Sequence, residues 1–149
     1  MAAIPGRLAV AAPYRALLSA CEKQVALPNI NPSCYHALAI VLSVLFLYAQ
    51  TPLHKILIIG VVLLADWLDG ATARRYNRVQ RSGYLVDVVT DRASEAFIFL
   101  AGSEIAVGQV FFLLWLANSA LVFYSIRSKK HVSLPLRFAY LVILIAQGA

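Results

Sequence analysis

The chain has 149 residues, which favours a single domain, and 61% of them are hydrophobic while only 13% are charged. A soluble domain is about 25% charged, so the composition argues against an ordinary soluble protein. The net charge is +6, but the basic residues lie in short loops between apolar runs, so we expect a membrane protein with no nucleic-acid partner. A soluble helical bundle is the alternative, but it needs polar outer faces, which the run 105–126 almost entirely lacks.

The N-terminal part differs from the rest of the chain. Residues 14–25 suit an amphipathic helix, which could lie in the membrane interface or pack on the bundle. The residues before it do not resemble a cleaved signal peptide, because Pro13 and Arg15 interrupt their apolar run. We therefore predict one domain, residues 1–149, made of an interfacial arm at 1–33 and a helical bundle at 34–149.

Five apolar segments follow the arm, at about 35–49, 52–73, 82–101, 105–126 and 134–146. A membrane-spanning helix needs about 20 residues, so the last segment is short for a span. We predict an all-α fold, a polytopic transmembrane helix bundle preceded by an interfacial amphipathic helix.

The positions of Lys and Arg predict the orientation of the bundle. Four arginines lie between the second and third segments, three basic residues follow the fourth, and three more lie in the arm. The loops on the opposite side hold only Lys55. Because cytoplasmic loops are enriched in Lys and Arg, we expect the N-terminus and both basic loops to be cytoplasmic.

Four of the seven acidic residues lie near that face: Asp66, Asp69, Asp87 and Asp91. Their spacing places each pair on one side of a helix, and the short loop predicts that the two helices are antiparallel neighbours. A single aspartate at mid-membrane costs about 2.5–3.5 kcal/mol on insertion scales. Converging carboxylates therefore require protonation, basic partners or divalent cations, and an all-oxygen site suits Mg²⁺, Mn²⁺ or Ca²⁺ better than zinc.

The residues around the acids extend this interpretation. Arg92 is the one basic residue close to them within the same segment, so cations are the expected counter-charge. Gly70, Ala73 and Gly83 leave space beside the acids, although small residues also permit close helix packing. Arg74 is suited to phosphate. A metal, room for a ligand and a phosphate-binding arginine together indicate chemistry on a pyrophosphate.

This pattern resembles the signature of the CDP-alcohol phosphotransferase (CDP-alcohol phosphatidyltransferase) family, here Asp66-x2-Asp69-Gly70-x2-Ala73-Arg74-x8-Gly83-x3-Asp87-x3-Asp91. The resemblance implies a membrane enzyme that cleaves a CDP-linked lipid (CDP-diacylglycerol or CDP-archaeol), releases CMP and transfers the phosphoryl-bearing group to an alcohol. It implies a site for two Mg²⁺ or Mn²⁺ ions at the four aspartates, with Asp91 as general base. Gly70, Ala73, Arg74 and Gly83 would form the nucleotide cradle.

The chain departs from the family pattern in two places. Members commonly have six membrane helices, whereas five segments are seen, so a sixth is absent, lies beyond the chain or is merged with another. Members carry the motif Pro-Asn-x-x-Thr before the first helix, and this chain matches it only in part, at Pro28-Asn29 or Pro32-Ser33.

Shorter patterns bear on the acceptor. Asp91-Arg92 with Ser94-Glu95, and YSIRSKK at 124–130, resemble the branch that uses inositol or inositol phosphate. The basic residues Arg127, Lys129 and Arg137 could hold the phosphate of inositol phosphate or another polyol phosphate, although the positive-inside rule also explains them. Phosphatidylglycerophosphate or phosphatidylserine synthesis is the alternative within the family.

The remaining expectations concern secondary roles and rival functions. His36, His54 and His131 are scattered at loop edges, so we expect no metal role for them, and Glu95 is expected to pair with Arg92. A cation transporter or an inactive scaffold is the rival function, but a transporter does not explain the spacing of the glycines and Arg74. The expected partners are a CDP-linked lipid, a small alcohol and membrane lipids, with a homodimer left open.

We predict that a cysteine at Asn77, in the loop 74–81, is labelled only from the cytoplasmic side, and a cysteine at Gln50 only from the opposite side. The basis is the one-sided distribution of Lys and Arg. Labelling with a membrane-impermeant maleimide in intact cells, in a background without Cys21 and Cys34, measures this directly. External labelling of the 74–81 loop would contradict the predicted topology.

Overall fold

The computed structural model describes residues 20, 25, 27–78, 81–103, 106–128 and 134–148, and all regular secondary structure within them is α-helical. The helices are α1, Pro32–Phe46; α2, Pro52–Arg75; α3, Arg81–Ala101; α4, Ala106–Ser128; and α5, Leu136–Gly148. They follow the five predicted segments to within a few residues, and none of those segments divides into two helices within the described residues. The predicted all-α bundle is confirmed, whereas the amphipathic helix at 14–25 falls almost wholly outside the described residues.

Local sequence signals explain where the first two helices begin and where α2 ends. Asn31 caps α1 by accepting a hydrogen bond from the Ser33 amide, and Thr51 caps α2 by accepting one from the His54 amide. A proline follows each cap directly, where its missing N–H is not needed. The α2 helix ends before Asn77, whose φ of 54° is a left-handed conformation that asparagine tolerates.

The outer surface of the bundle is apolar. Large hydrophobic side chains are exposed along every helix, among them Val41, Leu57, Val89, Leu113 and Val142. The helix α2 and the stretch Ala106–Ser125 of α4 are long and apolar enough to cross a membrane, while α1 and α5 are shorter apolar helices. Such a surface is suited to lipid contact rather than to water, as the composition predicts.

The apolar core lies at one end of the bundle. Phe99, Phe111 and Tyr140 form an aromatic cluster from α3, α4 and α5, with ring centroids 5.0–5.6 Å apart. Phe46, at the end of α1, and Ile59, in the first half of α2, complete this core. The core is therefore distant along each helix from the start of α1, the end of α2 and the start of α3.

Two buried polar contacts fix neighbouring elements to one another. The hydroxyls of Ser43 in α1 and Ser94 in α3 lie 2.5 Å apart. The Asn118 side chain of α4 both accepts from the amide of Leu134 and donates to its carbonyl oxygen, at 2.9 and 3.2 Å. Because unpaired polar groups are costly inside a bundle, these contacts determine how α1 and α5 approach their neighbours.

Helices α2 and α3 do not pack directly on each other, which corrects the prediction that they are close neighbours. Within the described residues α1 contacts both of them, α5 contacts α2, and α4 contacts α3 and α5, whereas α2 and α3 make hardly any close contact. Their acidic faces repel at short range, and longer side chains from α1 and α5 lie between them. The two acidic helices therefore face each other across a gap.

Candidate active site

The four aspartates lie at the end of the bundle where α2 finishes and α3 begins. Asp69 comes six residues before the end of α2, and Asp87 comes six residues after the start of α3. The short connection between the helices therefore brings these positions together. Asp69 is buried, with 6% of its surface exposed, and the other three aspartates are partly exposed.

Three side chains from three helices converge around Asp69. The Nδ1 atom of His36, near the start of α1, lies 3.1 Å from Asp69 Oδ2. One ligand atom each from His36, Asp69 and Asp87 lie within 4.8 Å of one another. The sequence did not predict that His36 lies beside Asp69, because the position of His36 depends on how α1 packs against α2 and α3.

Arg137 of α5 joins the other two aspartates. Its guanidinium is buried and lies 2.5 Å from Asp66 Oδ2 and 2.6 Å from Asp91 Oδ1. Its Nε is 3.6 Å from Glu95 Oε1. The acidic group thus divides into a pair bridged by Arg137 and a pair close to His36.

Glu95 lies one helical turn after Asp91 in α3 and borders the acidic site. It is buried, and it pairs with Arg92 at 2.8–2.9 Å, as the sequence predicts. The backbone carbonyl of Arg92 accepts a hydrogen bond from the indole N–H of Trp115 at 3.1 Å. This contact ties the acidic part of α3 to α4 and gives Trp115 a packing role.

The residues expected to form the nucleotide cradle border the same gap. A β-carbon added to Gly70 would lie 3.1 Å from an Arg74 guanidinium nitrogen, so the arginine folds back over the glycine. A β-carbon added to Gly83 would meet nothing within 4 Å of it. Arg74 is exposed and Ala73 is partly buried, so a ligand can reach the α2 side of this region.

The segment leading into α1 is attached to the loop that follows α2. Arg78 donates one hydrogen bond to the Asn29 side chain at 2.7 Å and another to the Ile30 carbonyl at 3.2 Å. The Tyr76 hydroxyl donates to the Leu27 carbonyl at 2.7 Å. The loosely matched Pro28-Asn29 entry therefore has a structural role in placing the start of α1, and with it His36, at the acidic site.

Of the three residues expected to contact the acceptor, only Arg137 has a described side chain. Arg127 is near the end of α4, but its side chain falls outside the described residues, as does Lys129. The sequence predicted Arg137 on the same side of the bundle as the aspartates, but it did not predict the contacts with Asp66 and Asp91. The available signal for a buried role was that Arg137 stands at the start of a helix whose later residues are apolar.

The donor set fits a divalent cation. Asp69 Oδ2 is buried and has no hydrogen-bond partner among the described residues, although His36 Nδ1 is close to it. Within the described residues the guanidiniums of Arg92 and Arg137 pair with Glu95, Asp66 and Asp91, whereas Asp69 and Asp87 lie close to His36. Carboxylates are suitable ligands for Mg²⁺ or Mn²⁺.

The fold and the site together define a membrane-embedded helical bundle with a carboxylate-rich site suited to a phosphorylated ligand. Residues 25–146 match the CDP-alcohol phosphatidyltransferase family, and the chain belongs to that family. It is accordingly a phosphotransferase and an integral membrane protein, which displaces the transporter and scaffold interpretations. Searches of curated proteins and of solved structures found no match.

We predict that Arg137→Gln lowers the melting temperature of the EDTA-treated, detergent-purified protein by roughly 10 °C. Removing one partner of a buried ion pair costs about 3–5 kcal/mol, and about 1 kcal/mol corresponds to 2–4 °C in a chain of this size. Added Mn²⁺ should restore more stability to the variant than to the wild type, because it replaces the missing positive charge.

The matched control is Arg75→Gln, which removes an exposed arginine from the end of α2. A thermal-shift assay with and without Mn²⁺ compares the two variants. Equal shifts for both would show that Arg137 does not neutralise the acidic group.

Proposed function

We propose that the protein transfers a phosphatidyl-type group from a CDP-linked lipid, CDP-diacylglycerol or CDP-archaeol, to a polyol phosphate, with release of CMP. The observation that carries the proposal is the convergence of two signature acids, Asp69 of α2 and Asp87 of α3, within reach of one cation, in a chain of this family. Inositol phosphate is our first choice of acceptor.

The proposed step is an in-line displacement at phosphorus. The acceptor hydroxyl oxygen attacks the lipid-bearing phosphorus of the pyrophosphate, and the bond from that phosphorus to the bridging oxygen breaks. CMP leaves with the bridging oxygen, and the hydroxyl proton passes to Asp91 as general base. Gly70, Ala73, Arg74 and Gly83 would orient the nucleotide, with Arg74 contacting phosphate oxygens.

We propose that Asp66, Asp69, Asp87 and Asp91 hold the divalent cations, two Mg²⁺ or Mn²⁺ ions. When bound, such ions neutralise the pyrophosphate and stabilise the leaving group. The buried Asp69 oxygen, which makes no well-aligned hydrogen bond in the part of the chain that the structure describes, supports this assignment. At Asp66 and Asp91 a cation competes with Arg137, since the guanidinium already contacts both carboxylates.

That competition links the metal site to the acceptor. Once Arg137 no longer pairs with Asp66 and Asp91, its planar guanidinium can hold phosphate oxygens in two places. An acceptor phosphate at Arg137 would place its alcohol close to Asp91, the proposed base. We propose that Arg127, near the end of α4, and Lys129, which follows that helix, complete the binding of the acceptor phosphate on the cytoplasmic side.

A panel of acceptors tests this choice in the purified protein. Inositol phosphate, glycerol phosphate, serine and free inositol are each supplied with CDP-diacylglycerol or CDP-archaeol, and the labelled lipid product is identified. A glycerophosphate or serine product would select the alternative branches of the family while leaving the proposed metal site intact.

We predict that Asp69→Asn and Asp87→Asn each reduce CMP release by about 100-fold or more while the protein still inserts into the membrane. Losing a metal ligand removes several kcal/mol of charge stabilisation, and each 1.4 kcal/mol is about a tenfold loss of rate. Glu104→Gln, which alters an acid outside the signature, is the control and should keep its rate. Near-normal turnover of either aspartate variant in Mg²⁺ or Mn²⁺ would refute the metal assignment.

We predict that Arg127→Ala raises the KM for the acceptor by about tenfold to a hundredfold, with little change in the KM for the CDP-linked lipid. One lost charge-assisted hydrogen bond is worth about 1.5–3 kcal/mol. Arg75→Ala, which removes a charge from the other basic loop, controls for effects on insertion. An unchanged acceptor KM in well-inserted Arg127→Ala protein would contradict the proposal that Arg127 binds the acceptor phosphate.

A further inference from the structure

His36, like Arg137, belongs to neither of the helices that carry the signature. It lies in the first turns of α1, the helix that contacts both α2 and α3. Its side chain is largely buried, and the hydrogen bonds of Arg78 and Tyr76 hold the segment before it. The imidazole is therefore fixed in place by the fold rather than free in solvent.

His36 and Asp69 place two ligand atoms side by side. The Nδ1 of His36 is 3.1 Å from Asp69 Oδ2, a buried oxygen that makes no well-aligned hydrogen bond within the described residues. Adjacent ligands of an octahedral ion with bonds of about 2.1 Å are about 3 Å apart. The separation of the two atoms matches that spacing, and Asp87 offers a third ligand atom within 4.8 Å of both.

We propose that His36 Nδ1 is a nitrogen ligand of the divalent cation held by Asp69 and Asp87, and that it gives this position a preference for Mn²⁺ over Mg²⁺. The inference rests on the proposed metal dependence and adds to it a ligand from outside the signature. A neutral imidazole coordinates through the lone pair of Nδ1, with the proton on Nε2.

The preference follows from the chemistry of the ligands. Mg²⁺ strongly favours oxygen ligands and gives up its waters reluctantly. Mn²⁺ accepts carboxylates and, lying on the first-row transition-metal series, also accepts imidazole. Replacing one oxygen ligand with nitrogen therefore weakens Mg²⁺ binding more than Mn²⁺ binding.

Electron spin-echo spectroscopy of Mn²⁺ added to the detergent-purified, EDTA-stripped protein tests the assignment, with any histidine tag removed. A directly bound imidazole gives a ¹⁴N modulation, which ¹⁵N-histidine labelling should alter. We expect the modulation in the wild type and in His54→Gln, and its loss in His36→Gln. His54 is a matched control because it contacts Thr51 at the opposite end of α2, 2.7 Å from the hydroxyl.

Titration of the same samples gives a second measurement. We expect His36→Gln to raise the Kd of Mn²⁺ by roughly tenfold or more, and to change the Kd of Mg²⁺ much less. Since the wild-type spectrum alone reports on coordination, poor folding of the variant does not remove the test.

The possible outcomes distinguish the role of His36 from the metal dependence itself. Bound Mn²⁺ without nitrogen modulation, or modulation that survives in His36→Gln, would overturn the role of His36 and leave the carboxylate site standing. Failure of the wild-type protein to bind Mn²⁺ would overturn this inference together with the metal dependence proposed above. Modulation lost only in His36→Gln supports both.

Discussion

The structure depends on how a mostly apolar bundle accommodates five carboxylates at one end. Carboxylates removed from water are tolerated only when cations or hydrogen-bond donors compensate them. Each neighbouring helix contributes to that compensation: α5 supplies Arg137, α3 supplies Arg92, and α1 supplies His36. The arrangement of the helices around the site follows from this requirement, because α1 and α5 bring polar groups to the gap between α2 and α3.

The carboxylates differ in their partners. Within the described residues Arg92 and Arg137 pair with Glu95, Asp66 and Asp91, whereas Asp69 and Asp87 lie close to each other and to His36. A divalent cation is a natural complement to such a site, since buried like charges repel strongly at low dielectric. The same crowding of carboxylates that makes the site costly to the isolated fold makes it suited to a metal-bound pyrophosphate.

The sequence predicted most of the fold because apolar length and basic loops are local signals. Five segments became five helices, and the pairing of Glu95 with Arg92 followed from a spacing within one helix. The relation between α2 and α3 could not be predicted in the same way. A short loop favours direct packing, and only the complete fold shows that α1 and α5 keep the two acidic faces apart. The contacts of His36 and Arg137 could not be predicted for the same reason, since each side chain meets helices distant in sequence.

The separation of the aromatic packing from Asp69 and Asp87 has an evolutionary consequence. Phe99 lies twelve residues after Asp87 in α3, and Phe46 lies ten residues after His36 in α1, so this packing is several helical turns away from the candidate cation ligands. Substitutions at well-separated positions act nearly additively on stability. Mutations around Asp69 and Asp87 can therefore accumulate without disturbing the aromatic packing, so the polar end of the scaffold can change while its apolar end keeps the bundle folded.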